Sequence, residues 1–143
     1  MSFKLNWYGD QMFEDISKEV DLALEKCGLH IKNKSSNQAP VDTGDLRGNC
    51  SVVTNTKIVS SPNTLSPEGM VPIDRPVQDK TVRIGYSLPY ALIQHENMQF
   101  KHPMGGKAKY LEDPFRSEMP ACTRLIKQAV AKGISKTIPM DGD

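Results

Sequence analysis

The chain has 143 residues, 38% hydrophobic and 24% charged, with 18 basic and 17 acidic side chains and a formal net charge of +1. That length bounds it to a single domain, residues 1–143, with a modest core, and its slightly polar balance points to some surface that is buried only in an assembly. The near-neutral charge excludes a dedicated nucleic-acid binder, which needs an excess of Lys and Arg.

Residues 1–9 carry Phe3, Leu5 and Trp7 in alternation with polar neighbours, the pattern of a short strand. They read either as an arm that packs on another subunit or as a segment resting on its own core, and the one tryptophan favours a buried or interface position. Asp10 is suited to N-cap a helix over 10–39. Phe13, Ile16, Val20, Ala23, Leu24, Cys27 and Ile31 fall in steps of three and four on one face. Glu14, Lys18, Asp15 and Glu19 are expected on the polar side, with Glu14 and Lys18 in the favourable acid-before-base order. Gly28 weakens this helix without ending it. Pro40 ends it, because the residue before a proline avoids helical geometry.

Strand character follows over 46–59, where Val52, Val53, Ile58 and Val59 are β-branched, with a turn or bulge near Asn55. Leu46, Gly48, Cys50, Val52 and Thr54 would share one face. The stretch 60–80 holds Pro62, Pro67, Pro72 and Pro76, which forbid a regular helix or a central strand. A loop this long reads as an arm toward a neighbouring subunit or as an inert insertion, and Val71 and Ile73 favour the arm. Residues 81–86 alternate as a half-buried strand, with Val82, Ile84 and Tyr86 on one face and Arg83 on the other. A short turn or helix over 88–96 has Tyr90, Leu92 and Ile93 as its apolar residues. Pro103, Gly105 and Gly106 give loop chemistry to 99–110, read as the tip of a hairpin. Asp113-Pro114 starts a last helix over 113–135. Its expected stripe is Phe115, Met119, Cys122, Ile126, Ala129 and Gly133, supported by Leu125 and Val130. Pro120 marks either a later start or a kink. The order of elements gives an α+β domain: a long N-terminal amphipathic helix and a C-terminal helix packed on a small, mostly antiparallel sheet, with a long proline-rich loop.

Cys27, Cys50 and Cys122 are odd in number, widely spaced and at apolar-facing positions, so they read as reduced, buried residues of a protein made in a cytosol. No signal peptide is expected at the N-terminus, and no run approaches the ~18 consecutive apolar residues of a membrane span.

Asp42-Thr43-Gly44 is the motif with the sharpest alternative readings. A dimeric aspartic protease would place two such aspartates in a shared carboxylate dyad. That requires a tight loop between apolar strands and a small residue after the glycine. Here a long helix precedes the motif and Asp45 follows it. As a structural element, Asp42 caps a short helical turn through Asp45 and Leu46, and Gly44 frees the bend. His95-Glu96 lacks the second histidine of HExxH, since position 99 is Gln99. His30, His95 and His102 are too scattered for a zinc pattern. Gly105-Gly106-Lys107 lacks the phosphate-loop spacing, and Ala108 stands where Ser or Thr would bind magnesium. Lys101, His102, Lys107 and Lys109 form a local basic loop, read as a solvated tip or as a weak contact for nucleic acid or an acidic surface. No catalytic, cofactor or metal residue is expected.

The run Ala39-Pro40-Val41-Asp42-Thr43-Gly44-Asp45-Leu46-Arg47 after a long helix resembles the minor capsid and tail-completion proteins of tailed phages. So do Tyr90-Ala91 placed ahead of Glu96, Pro114-Phe115 leading into the last helix, and Lys107 to Glu112. The resemblance spans about 10–134 and excludes the proline-rich stretch. It implies a structural virion protein without an active site: a head-tail connector of the neck, acting in tail completion or, alternatively, in head closure. Its structural motif residues would be Pro40, Asp42, Thr43, Gly44, Leu46, Arg47, Tyr90, Ala91, Glu96, Pro114 and Phe115. The implied partners are portal, neck or tail proteins and further copies of the chain in an oligomeric ring, with non-specific contact to channel DNA and none to membrane. The implied location is the virion, after synthesis in the host bacterial cytoplasm.

Overall fold

In the computed structural model, residues 2, 7–41, 45–61, 74–88, 90–102 and 105–138 are described. Seven elements follow in chain order: α1 (Gly9–Gln38), α2 (Asp45–Gly48), β1 (Ser51–Thr54), β2 (Ile58–Ser60), β3 (Val82–Gly85), α3 (Ala91–Glu96) and α4 (Glu112–Thr137). The expected α+β architecture holds. The strands form one antiparallel sheet in the order β2-β1-β3. The proline-rich loop falls largely on residues 62–73, outside the described set, as do Phe3 and Leu5 of the expected N-terminal arm.

Helix α1 ends where proline demands. Ala39 turns extended (φ −63°, ψ 144°) directly before Pro40, while its amide still closes the last turn on the Ser35 carbonyl at 2.9 Å. Its start corrects the sequence reading. Tyr8 occupies the N-cap position without a side-chain bond, and Asp10 lies inside the first turn. There its carboxylate faces the positive end of the helix dipole rather than capping free amides. Glu14 and Lys18 pair as expected at 3.1 Å.

α4 runs antiparallel to α1 over most of its length. Gly133 lies so close to Ile16 that a Cβ there would sit 2.6 Å from the Ile16 Cα, and Cys27 faces Cys122 farther along. α4 is one helix through Pro120, neither starting there nor divided there. Asp113 is not its cap: Leu111 takes that position without a side-chain bond, and Asp113 and Pro114 lie in the first turn.

The segment 46–59 is not one strand. Residues 45–48 make the helical turn α2, and β1 and β2 then form a hairpin closed over 55–57. The Thr54 amide donates to the Lys57 carbonyl at 2.9 Å, and the Thr54 hydroxyl accepts from the Lys57 amide at 3.2 Å. This is the turn expected near Asn55, and the ladder has an irregularity between Val52 and Val53 besides. β1 is the central strand and all four of its residues are buried, so its two faces do not divide into core and solvent. Gly28 has a packing reason in α1: a Cβ there would sit 2.6 Å from Val52 Cγ1 and 2.9 Å from Val82 Cγ2, so the small residue lets helix and sheet approach.

Several expected core residues are exposed. Phe13 was expected on the apolar face of α1 but is 70% exposed. Trp7 is 74% exposed, so it is not buried by its own chain. On α4 the buried residues are Pro114, Glu118, Cys122, Ala129 and Gly133, while Phe115 and Met119 are exposed. Tyr90, Leu92 and Ile93 of the α3 segment also face solvent, and Ala91 and Leu88 are the ones buried.

Candidate functional site

Two core clusters share Leu111. One joins Cys27, Ile31 and Cys122 between the long helices. The other joins Ala39, Leu46, Leu88, Ala91 and Tyr110. The second is notable for its sources: Ala39 and Leu46 come from the 39–47 run and Ala91 from the 90–96 run, so two motifs distant in sequence meet there. Tyr110 is the centre. Its hydroxyl donates to the Ala91 carbonyl at 2.6 Å, and its ring makes edge contacts with Tyr86 at 5.1 Å and His95 at 5.0 Å. Burial holds the Tyr110 and Tyr86 phenols above their ordinary range. The Tyr86 hydroxyl in turn bonds the Ser35 hydroxyl of α1 at 2.6 Å.

Backbone and polar bonds lock the exit of α1 to this centre. Arg47 Nε donates to the Ala39 carbonyl at 2.7 Å. The Val41 amide donates to the Gly105 carbonyl at 3.0 Å, and the Lys107 amide to the Gln38 carbonyl at 2.9 Å. The expected hairpin tip is therefore a docked loop. Gly106 is in the left-handed region (φ +90°), and a Cβ on it would sit 2.4 Å from the Ala39 carbonyl oxygen. Pro40, Leu46 and Pro114 are buried around this joint. Asp42, Thr43 and Gly44 lie outside the described residues. The described elements on either side of them, α1 and α2, are helical, where the protease loop needs strands.

Asn49 ties the joint to α3. Its Oδ1 accepts from the Ser87 amide at 2.6 Å and the Leu88 amide at 3.0 Å, and its Nδ2 donates to the Ser87 hydroxyl at 3.0 Å. His95 does the same toward α4. Its Nε2 accepts from the Glu112 amide at 3.1 Å, which assigns the proton to Nδ1, 2.8 Å from Glu96. The free first-turn amide of α4 is thus satisfied by a histidine from α3. Lys109, with His95, holds the Glu96 carboxyl below its ordinary value, and Glu96 raises Lys109 in turn. Lys107 pairs with Asp113 at 2.7 Å, and Lys109 also reaches Glu112 at 3.4 Å. Two of the four residues of the basic loop read from the sequence, Lys107 and Lys109, are therefore paired within the fold.

Sequence reasoning missed four residues. Glu19 was expected on the polar side of α1. It is buried against α4, paired with Lys136 and, at 3.6 Å, with Lys132. Its four-residue step to Ala23 and Cys27 was the available signal. Glu118 mirrors it from α4, paired with Lys34 and accepting from His30 at 2.8 Å. Both carboxyls are held below the ordinary range, chiefly by hydrogen bonds from Lys136 and Lys34 respectively. Asn49, read within the strand over 46–59, and Tyr110, read at the end of the 99–110 loop, carry no signature of their own that marks them as buried. All three cysteines are free and buried; burial pushes Cys27 up to about 12 and Cys50 up to about 11.

Outside this joint lies an apolar surface. Leu92 (70% exposed), Ile93, Met98 and Phe100 on and after α3, with Phe115 and Met119 on α4, all face solvent. Leu92 and Phe115 each border a hollow. One, of about 300 Å³, has Tyr86, Leu92 and Tyr110 in its lining, and the other, of about 370 Å³, has Val82, Ile84 and Phe115. Both are bordered by His95 and Leu111. Among the described residues, no group of three or more His, Cys, Asp or Glu is placed to hold a metal ion, and no helix is long and apolar enough to cross a membrane. Compared with protein-family models, curated proteins and solved structures, the chain has no match.

Proposed function

We propose that the chain is a structural protein of a tailed-phage particle: a tail-completion component of the neck, joining head and tail as an oligomeric ring around the DNA channel. The observation that carries this reading is the exposed apolar surface of α3 and the start of α4, held on a joint built from the two motif runs. Patches of this kind mark protein–protein contacts. The joint has the features of a rigid bracket: its carbonyls and amides are bonded across α1, α2 and the 105–107 loop. Head-to-tail use of one surface against another on the next copy closes into a ring. The resemblance of the 39–47 and 90–96 runs to neck proteins supplies the place in the particle.

The test is deletion of the gene from the phage that encodes it, followed by electron microscopy of the lysate. Tail completion predicts DNA-filled heads beside separate tails. Heads that have lost their DNA would place the chain in head closure instead, and intact infectious particles would refute both. Asp42→Asn should still restore tailed particles to the deletion lysate, whereas a protease using Asp42 would lose its activity.

A further inference from the structure

We propose that residues 2–7 of one copy add as a fourth strand to the open edge of β3 in a second copy, with their alternating apolar side chains in the two hollows. This rests on the reading of the chain as a self-associating neck subunit and names the occupant of one of its faces.

β3 is an edge strand: β1 pairs with one side of it, and among the described residues no strand pairs with the other. An open edge is a template for another chain, and soluble proteins usually blunt it with charge, brevity or a bulge. The opposite edge, β2, is protected in that way. It is three residues long, lies beside a ladder irregularity and is flanked by Lys57, which pairs with Glu25 at 3.0 Å. The β3 edge carries one charge, Arg83, whose guanidinium donates to the Asp74 carbonyl at 3.0 Å, and it borders the two hollows, one along Val82 to Ile84 with Arg83 and Glu112 also in its lining, the next at Tyr86. Strand addition uses the backbone of the edge for affinity and such pockets, taken by alternate side chains, for specificity.

Phe3, Leu5 and Trp7 supply that alternation. Trp7 stands exposed at the head of α1, beside the exposed Tyr8 and Phe13. Chain length requires the acceptor to be another copy. β3 runs along α1 toward its C-terminal end: Val82 abuts Gly28, and Tyr86 bonds Ser35. From Gly9 to Ser35 is about 26 residues at about 1.5 Å each, or roughly 39 Å. Phe3 lies six residues before Gly9, so the arm from Phe3 to Trp7 reaches at most roughly 22 Å from it when fully extended. An arm therefore cannot reach the Tyr86 hollow of its own chain, while a neighbour's can. Arm-to-edge contact joins two different surfaces, so it propagates from copy to copy and is compatible with a closed ring.

The experiment uses two full-length variants measured by sedimentation velocity. Phe3→Asp with Leu5→Asp spoils the arm and leaves the groove. Leu92→Asp with Phe115→Asp spoils the groove at exposed positions and leaves the arm. The wild-type chain should self-associate with rising concentration. Its tryptophan emission should shift to the blue in step, since Trp7 is the only tryptophan. Each variant alone should stay monomeric with the wild-type melting temperature, and an equal mixture should form heterodimers that grow no further. A wild-type chain that is monomeric up to roughly 1 mM, a concentration that excludes even weak association, would overturn the proposal. So would an arm variant that associates like wild type, or a mixture that fails to pair. An arm variant that still associates would leave the neck reading standing, which the particle microscopy tests separately.

Discussion

Asn49→Ala should be a damaging polar truncation at the joint. Asn49 is completely buried, and its Oδ1 is the acceptor for two backbone amides, those of Ser87 and Leu88. Removing it strands two N–H groups in the turn that leads from β3 to α3. Each buried donor left without an acceptor costs about 1–3 kcal/mol. The pair together costs about 3–4 kcal/mol once some solvent entry is allowed for. Ser87→Ala is the control, because it removes only the partner of the Nδ2 donor and should cost about 1 kcal/mol. For a chain of this size the Asn49 variant should melt roughly 10 °C lower than wild type. The assay is urea unfolding followed by circular dichroism, with an unchanged dependence on denaturant confirming that the same surface unfolds. If Asn49→Ala loses no more stability than Ser87→Ala, the claim that this side chain holds α3 onto the joint is wrong.

Gly106→Ala should lower stability by about 2 kcal/mol or more, from the left-handed backbone and the Ala39 carbonyl at 2.4 Å from the added methyl; the same unfolding assay reads it. Glu19 and Glu118 have carboxyls held below the ordinary value of 4.5, so their stabilising effect is complete above that value and is lost as the pH falls through the folded-state value. Glu19→Gln and Glu118→Gln should each lower the melting temperature at neutral pH, and should flatten its decline between about pH 5 and about pH 3. Cys27, pushed up to about 12, and Cys50, pushed up to about 11, should react with a disulfide reagent only as fast as the chain opens, so labelling should track unfolding; rapid labelling of the native chain would contradict their burial.

The long helices were legible because their apolar steps repeat over many turns, and β3 because its alternation is clean. Phe13 and Phe115 were misplaced for a common reason. Periodicity states which residues share a face, not whether anything lies opposite that face. Residues 46–48 also read as strand because Leu46, Gly48 and Cys50 alternate, yet the short helical turn expected through Asp45 and Leu46 is the one that forms, and it runs on to Gly48. The meeting of the 39–47 and 90–96 runs was out of reach of local pattern, since Tyr110, which joins them, approaches from a third segment. Glu19 shows the converse case: an acidic residue read as solvated is buried once lysines on the facing helix neutralise it, and Glu118, which carried no reading, is buried in the same way.

The central claim is that this chain is a ring between head and tail. Cryo-electron microscopy of the purified particle of the encoding phage tests it most directly. A neck ring requires several copies of the α1–α4 helical pair and its three-stranded sheet, arranged around the channel where the capsid vertex meets the tail. Particles in which the chain is absent, or is found only in the shell or at the tail tip, would contradict it.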